Sequence, residues 1–305
     1  MNEPGRPVDA VIAAMRENPL DFAGDIPELR ERFEALGVRP DAAIHPFAES
    51  SIDGVPVLEL VGDEQRGTVL FVHAGGYVAG SAAGSFGLAA ALARESGRRV
   101  LSVDYSLAPE HPYPVARDEI VRVYEQLLCD GIDPRALSFV GASAGGGLVL
   151  QALQHLRDTG RPLPGAAALL SPFLDLTLSG QSYGWNADRD PSLTARGLAA
   201  AAAHYAPSSA DRGALRPTPD SLRDLPPTQV HVGSIEILLS DSTDFAAAAA
   251  AADVRVELEV WPGMVHVFPT FAALLPEGVE ALRRVGAFLD RWSSRPQTIE
   301  TVVRA

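Results

Sequence analysis

Apolar runs that alternate with helical patterns constrain the fold of this chain more than any other feature. Residues 68–72 (Thr-Val-Leu-Phe-Val) are almost wholly apolar, which is typical of a strand buried on both faces of its sheet. Predicted strands cover residues 57–61, 68–72, 99–103, 137–140, 165–170, 229–232 and 254–260. Predicted helices cover residues 80–96, 117–128, 145–157, 198–205, 242–252 and 279–292. This alternation predicts an α/β fold: a mostly parallel sheet with helices on both faces.

Two segments interrupt the alternation. Residues 1–45 precede the first clear strand pattern and read as helical pieces broken by prolines. Residues 179–225 contain an Ala-rich helical pattern and end in a Pro-rich stretch. We therefore expect one α/β domain over residues 46–292, with residues 1–45 and the insertion at 179–225 forming a helical cap over a site. Residues 293–305 are expected to be a tail.

The charge and cysteine content exclude some classes of protein. The chain has 305 residues and a formal net charge of -14, without the cluster of Lys and Arg that nucleic-acid binding requires. Its one cysteine, Cys129, excludes an intramolecular disulfide. Neither a secretory signal nor an apolar run long enough to span a membrane is visible. We expect a cytoplasmic protein without a membrane span, and the sequence leaves open whether it forms a homodimer.

A serine flanked by glycines lies between a predicted strand and a predicted helix. The run Gly141-Ala142-Ser143-Ala144-Gly145 matches G-x-S-x-G, the pattern of a nucleophile elbow. In such a tight turn, side chains two positions either side of the serine would clash, so glycine there lets the serine oxygen stand clear of the sheet. A phosphate-binding loop is the other interpretation, but the P-loop lysine is absent. Ser143 is therefore the candidate nucleophile.

A second glycine pair follows an earlier predicted strand. His73-Ala74-Gly75-Gly76 comes directly after the apolar run at 68–72. Acyl transfer places negative charge on the former carbonyl oxygen, and losing one backbone N–H group that faces it costs about 3 kcal/mol. Paired glycines allow the close backbone approach that this requires. The same glycine pair is also compatible with a tight loop that has no chemical role.

Three blocks in this order resemble one protein family. The glycine-pair loop, residues 104–114 (Asp-Tyr-Ser-Leu-Ala-Pro-Glu-His-Pro-Tyr-Pro) and the serine elbow are similar to the hormone-sensitive-lipase-like family of microbial esterases. The resemblance spans about residues 57–292. It implies the α/β-hydrolase fold and a serine hydrolase that acts on carboxylic esters. It also implies that the amide donors of an oxyanion hole are Gly75, Gly76 and Ala144.

This chain departs from the family pattern at two positions. Ala74 stands where the family has glycine, and Ser106 stands where it has arginine. Ala74 is not among the implied amide donors. An arginine at the second position would form buried ion pairs, so we expect that its absence affects the support of the loop rather than the nucleophile.

The candidate base is one of seven histidines. His266 lies in residues 261–268 (Trp-Pro-Gly-Met-Val-His-Val-Phe), just after a predicted strand, where an α/β sheet gathers its site. This block also resembles the histidine loop of the family. A base there would accept the serine proton and return it to the leaving group. His231 lies within a strand pattern and is expected to be structural, and His73 is expected to hold the shape of its loop.

The candidate acid lies before His266, since the family's chain order is serine, acid, histidine. The family has an aspartate four residues before a second acidic residue. Matching that pattern places Glu236 at the acid position and Asp241 one residue beyond the second acidic position. Glutamate can hold the imidazole tautomer and stabilise its charged form. Asp241 and Asp244 are the rivals; the alternative is that they begin a helix and favour its dipole.

The sequence thus predicts a serine carboxylesterase that works through Ser143, His266, Glu236 and an acyl-enzyme on a small-molecule ester. No cofactor is expected, because the chain has no H-E-x-x-H or paired-cysteine pattern for a metal. Two alternatives stay open: an acyltransferase, cyclase or lyase that uses the same triad, and a non-catalytic binding protein. The complete set of three residues argues against the second, but fold alone does not decide function.

Overall fold

One eight-stranded sheet organises the chain. The computed structural model describes residues 6–63 and 66–293. Within them the strands are β1 (Phe47–Ile52), β2 (Val55–Leu60), β3 (Thr68–Val72), β4 (Arg99–Val103), β5 (Leu137–Ala142), β6 (Ala166–Leu170), β7 (Thr228–Gly233) and β8 (Val256–Trp261). Their order across the sheet is β1-β2-β4-β3-β5-β6-β7-β8. The pairs β1–β2 and β2–β4 are antiparallel and all other neighbours are parallel, which confirms the predicted mostly parallel sheet.

Eleven helices accompany these strands in the same described residues. They are α1 (Pro7–Glu17), α2 (Ile26–Leu36), α3 (Phe86–Ser96), α4 (Val115–Cys129), α5 (Ala144–Asp158), α6 (Ser182–Trp185), α7 (Ala195–Tyr205), α8 (Ser209–Ala214), α9 (Pro219–Leu222), α10 (Leu239–Ala251) and α11 (Pro276–Trp292). Short 3-10 turns lie at Pro134–Ala136 and Phe268–Phe271. The predicted helix at 80–96 begins later than expected, because residues 81–85 form turns before α3.

Successive residues of the central strands pack against opposite layers of helices. Phe71 of β3 lies in an apolar cluster with Leu92 of α3 and Phe288 of α11. The adjacent Leu70 lies in a second cluster with Leu148 of α5. Because both faces are covered, the central strands consist mainly of apolar residues. The carboxyl ends of the parallel strands meet at one edge of the sheet, and the loops that follow them gather there.

The first strand has no counterpart among the predicted strands. β1 is an edge strand that pairs only with β2, and none of its residues is buried. Half of its sequence, Phe-Ala-Glu-Ser-Ser-Ile, is polar, and it lacks the apolar pattern by which the other strands are recognised.

Both segments that interrupt the alternation are helical. The N-terminal segment contains α1 and α2, and the insertion between β6 and β7 contains α6 to α9. Val8 and Val11 of α1 pack with Met264 and Val265, next to the candidate base. Of the predicted tail, Ser293 is buried, and residues 294–305 lie outside the described residues, as do 1–5 of the predicted cap.

Two sequence-based expectations concern the surface. Cys129, the last residue of α4, is a free and exposed thiol. No helix among the described residues has the length and apolar character needed to cross a lipid bilayer.

Candidate active site

Ser143 occupies a strained turn between β5 and α5. Its backbone has φ 52° and ψ -119°, a left-handed conformation that is costly for a residue with a side chain. A Cβ atom on Gly141 would lie 2.4 Å from the carbonyl oxygen of Gly145, and one on Gly145 would lie 2.1 Å from the carbonyl oxygen of Val72. Both flanking glycines are therefore required by the close approach of backbone.

Three polar side chains from separate loops meet at this turn. The Oγ of Ser143 lies 2.9 Å from Nε2 of His266. The Nδ1 of the same ring lies 2.8 Å from Oε2 of Glu236. Ser143 follows β5, Glu236 follows β7 and His266 follows β8, so the parallel sheet brings all three to its carboxyl edge. The structure thus brings together the three residues named from the sequence.

Glu236 is fully buried and hydrogen-bonded at both carboxylate oxygens. Burial raises the pKa of its carboxyl group above the ordinary value, while hydrogen bonds from His266, Ser171 and Gly233 act in the opposite direction. The hydroxyl of Ser171 donates to Oε1 over 2.7 Å, and the N–H group of Gly233 donates to the same oxygen.

Ser171 is a site residue that the sequence analysis does not single out. Besides donating to Glu236, its hydroxyl accepts a hydrogen bond of 3.0 Å from the N–H group of Val267. It therefore ties the candidate acid to the loop that carries His266. The available signal is its position: Ser171 directly follows β6, at the same edge as the other loops.

The two rival acids lie elsewhere. Asp241 is buried in the first turn of α10, where its carboxylate accepts hydrogen bonds from the N–H groups of Leu174 and Asp175 and from the hydroxyl of Tyr183. Asp244, one turn further along α10, is exposed. Of the three acidic side chains considered, Glu236 is the one in contact with His266.

The glycine-pair loop lies beside the serine elbow. β3 and β5 are neighbours with Val72 opposite Gly141, so the loops that follow them start side by side. Gly75 and Gly76 have φ values of 137° and 60°. In the described part of the chain, no hydrogen bond has the amide of Gly75, Gly76 or Ala144 as its donor. These three N–H groups are therefore free to bind an oxygen atom.

Both departures from the family pattern are accommodated locally. Ala74 is not among the residues with positive φ, so a side chain is tolerated there. The N–H and hydroxyl groups of Ser106 donate to Glu119 over 2.6 and 2.8 Å. Arg30 of α2 supports the same region, donating to the carbonyl oxygens of Val78 and Ala108.

Two other described histidines are buried, and neither ring is hydrogen-bonded to Ser143, His266 or Glu236. Nδ1 of His73 lies 2.8 Å from the carbonyl oxygen of Ala74, and the ring stacks on Tyr105 with 4.0 Å between centroids, consistent with a role in loop shape. His231 accepts a hydrogen bond from the indole of Trp261. Burial lowers the pKa of His231 to about 3, so its ring is neutral. Its Nε2 has no hydrogen-bond partner among the described residues.

No metal site is found in the part of the chain that the structure describes. No group of three or more His, Cys, Asp or Glu side chains there could hold a metal ion. Glu236 and His266 pair with each other and do not belong to a cluster of potential metal ligands among the described residues.

Comparison with known proteins identifies the family. A family profile described as alpha/beta hydrolase fold matches residues 69–270. An esterase of Acinetobacter venetianus is 37% identical over 251 residues, 82% of each chain. An acetyl-hydrolase of Streptomyces hygroscopicus is 39% identical over 223 residues, 73% of this chain and 75% of the other.

Solved structures agree with the sequence relatives. The crystal structure of an esterase from the bacterial hormone-sensitive lipase family superposes with a TM-score of 0.89 and 37% sequence identity, covering 96% of this chain and 100% of that chain. The resemblance seen in the three sequence blocks is thereby confirmed. The chain belongs to the α/β-hydrolase fold family and, within it, to the hormone-sensitive-lipase-like esterases.

Proposed function

We propose that this chain hydrolyses small carboxylic esters with Ser143 as nucleophile, His266 as general base and acid, and Glu236 as the acid that orients the histidine. One observation carries the proposal: the continuous contacts of 2.9 Å from Ser143 to His266 and 2.8 Å from His266 to Glu236. This arrangement allows a neutral imidazole to donate from Nδ1 to Glu236 and to accept the serine proton at Nε2.

The proposed reaction has two halves. In the first, His266 takes the hydroxyl proton of Ser143 while Oγ bonds to the ester carbonyl carbon. The amides of Gly75, Gly76 and Ala144 donate to the resulting oxyanion. His266 then passes the proton to the leaving alkoxide, the carbon–oxygen bond to the alcohol breaks, and an acyl-enzyme remains. In the second half, water gives a proton to His266, its oxygen bonds to the acyl carbon, and the carboxylic acid leaves as Ser143 regains its proton.

We also propose that residues 1–45 and 179–225 act as a cap. Support comes from the packing of α1 beside the His266 loop and from Phe22, whose ring lies against Gly76. A Cβ atom on Gly76 would lie 2.8 Å from the Phe22 ring. The same Cβ atom would lie 3.4 Å from the Cβ atom of Ala201 in the insertion. Both helical segments thus contact loops that carry proposed catalytic groups, as a substrate-enclosing cap would.

Acyl transfer is the competing chemistry, since an alcohol can replace water in the second half of the reaction. The name of the Streptomyces relative, acetyl-hydrolase, favours water and a short acyl group. A panel of p-nitrophenyl esters of rising acyl length tests both points. Hydrolysis should be fastest for a short acyl chain, and acid should stay the main product when a simple alcohol is added.

Ser143→Ala is the decisive variant for this panel. It should lower kcat/KM by on the order of 10⁴-fold or more, because the amide donors and substrate binding alone remain. Ser102→Ala is a matched control: Ser102 is a buried serine on β4, which β3 separates from β5, and its hydroxyl has no partner in the described part of the chain. A Ser143→Ala enzyme within about tenfold of wild type would overturn the proposal.

A further inference from the structure

The peptide group between Glu236 and Ile237 forms hydrogen bonds through both its carbonyl oxygen and its N–H group with the insertion between β6 and β7. The Nδ2 group of Asn186 donates to the carbonyl oxygen of Glu236 over 2.8 Å. The N–H group of Ile237 donates to Oδ2 of Asp190 over 2.9 Å. These two backbone atoms belong to one peptide unit, so two side chains of the insertion fix its position and its orientation. We call Asn186 and Asp190 the polar clip.

Local hydrogen bonds orient the two side chains of the polar clip. Asn186 directly follows α6, and the N–H group of Asp190 donates to its carbonyl oxygen over 2.9 Å, a helical turn that sets both side chains on one face. Arg189 donates to Oδ1 of Asn186, which orients the amide with Nδ2 toward Glu236. Both clip residues are buried, with 2% and 8% of their surface exposed.

The remaining oxygen of Asp190 is also occupied. Oδ1 accepts from the N–H and hydroxyl groups of Ser192 and from the N–H group of Leu193, which leaves Oδ2 for Ile237. Bonds within its own segment therefore fix the carboxylate in the orientation that contacts the acid loop, the loop after β7 that carries Glu236. Buried networks with every member satisfied are rigid, and a loss of one partner leaves a costly unpaired group.

Residues on either side of Glu236 in the acid loop have other bonds. The N–H group of Ser234 donates to the carbonyl oxygen of Trp261 over 2.9 Å, and the hydroxyl of Ser182 donates to the carbonyl oxygen of Ile237.

The backbone of Glu236 itself has weaker hydrogen bonds. The N–H group of Glu236 donates to the carbonyl oxygen of Gly233 over 3.3 Å, a long bond. Among the described residues, the carbonyl oxygen of Glu236 accepts one further bond besides that of Asn186, from Leu239 and also 3.3 Å long. For the peptide unit between Glu236 and Ile237, the clip supplies the two bonds shorter than 3 Å. A displacement of about 1 Å in a catalytic group can cost about 10²-fold in rate, so the loop needs such support.

We propose that Asn186 and Asp190 are positioning residues for Glu236, so that docking of the insertion and alignment of the acid with His266 are one event. This inference rests on the proposed function, because it assigns the clip a role in the same triad. It predicts that loss of the clip lowers kcat through Glu236, in addition to any loss of stability, and changes substrate binding little.

The test is a double-mutant cycle on kcat with a short-chain p-nitrophenyl ester. Asn186→Ala and Asp190→Asn should each lower kcat by about tenfold or more, with KM changed by less than about threefold. In a Glu236→Gln background the same changes should lower kcat by less than about twofold further, because residues that act through one group are not additive. Asn186→Asp, which keeps the size and loses the donor, serves if the alanine variant does not fold.

Tyr183→Phe is the matched control. It removes a buried hydrogen bond of 2.9 Å between α6 and Asp241. The carboxylate of Asp241 is bonded to Tyr183, Leu174 and Asp175, not to the peptide after Glu236. Tyr183→Phe should lower the melting temperature as Asn186→Ala does, yet leave kcat within about twofold of wild type in both backgrounds.

The possible outcomes distinguish a failure of the clip proposal from a failure of the proposed catalytic triad. Equal losses in the wild-type and Glu236→Gln backgrounds would show a general structural role and overturn the clip. An unchanged kcat in Asn186→Ala, with a large loss in Glu236→Gln, would overturn the clip and leave the proposed function standing. An unchanged kcat in Glu236→Gln would overturn the proposed triad and the clip together.

Discussion

Glu236 and Asp241 are two buried carboxylates in one stretch of chain after β7, and they differ in what they face. They are 0% and 3% exposed, and burial raises the pKa of both, that of Asp241 to about 7. Glu236 faces the imidazole of His266, a group from another loop that can itself take a proton. Asp241 faces the backbone N–H groups of Leu174 and Asp175, which cannot.

The difference shows that a buried acid with a raised pKa is not by itself a mark of catalysis. Such groups also arise where a carboxylate fastens two segments of backbone together. The partner decides: Glu236 is paired with a ring that contacts a serine, whereas Asp241 joins α10 to the loop after β6. We therefore expect substitutions of the first to change the rate and substitutions of the second to change stability.

The largest expected effect separates the two acids by activity. Glu236→Gln should lower kcat by on the order of 10³-fold or more, since an amide keeps the shape but neither the charge nor the preferred histidine tautomer. Asp241→Asn should lower kcat by less than about tenfold. Steady-state kinetics on both variants, with melting temperatures as a check of folding, makes the comparison. A greater loss in Asp241→Asn would reverse the assignment of the acid.

The second prediction concerns Asp241 and the pH dependence of stability. The folded pKa of Asp241, about 7, lies above its ordinary value of 3.8, so the folded state holds this proton more tightly. Its contribution to stability is complete below pH 3.8 and is lost as the pH rises through 7. Between about pH 5 and about pH 8, the free energy of unfolding of wild type should fall by about 3 kcal/mol relative to Asp241→Asn.

Urea unfolding at the two pH values measures this difference. Asp241→Asn is its own control for all other titrating groups, because asparagine does not ionise and the rest of the chain is unchanged. Parallel pH profiles for wild type and variant would mean that Asp241 does not carry the proton.

The smallest expected effect concerns the neighbours of the two acids. Ser171→Ala removes the hydroxyl that joins Glu236 to the His266 loop, and it should lower kcat by about tenfold. Tyr183→Phe removes the hydroxyl that donates to Asp241 and should change kcat by less than about twofold. Similar kcat values for the two variants would contradict the expectation that only the hydrogen-bond partner of Glu236 affects the rate.

The sequence predicts the centre of the fold better than its edge. The predicted bounds 68–72 and 99–103 coincide with β3 and β4, because strands covered on both faces consist mainly of apolar residues. β1 was not predicted, since an exposed edge strand has no core to enforce an apolar pattern. The antiparallel arrangement of β1 and β2 likewise leaves no signal in local composition.

The site divides in the same way. Ser143 and the glycines carry a local signal, because a turn of that shape excludes side chains at fixed spacing. The positions of Ser171 and Asn186 relative to Glu236 depend on packing between segments that are distant along the chain. No periodicity or spacing records such contacts, so the support of the acid loop could not be predicted from the sequence.

The central claim is that Ser143 is the nucleophile and that His266 activates it, and covalent labelling tests this most directly. The wild-type protein should react with a fluorophosphonate probe, and peptide mass spectrometry should place a single adduct on Ser143. His266→Ala should abolish labelling, because the serine hydroxyl without its base is a weak nucleophile. An adduct on another serine, or labelling that persists in His266→Ala, would contradict the account.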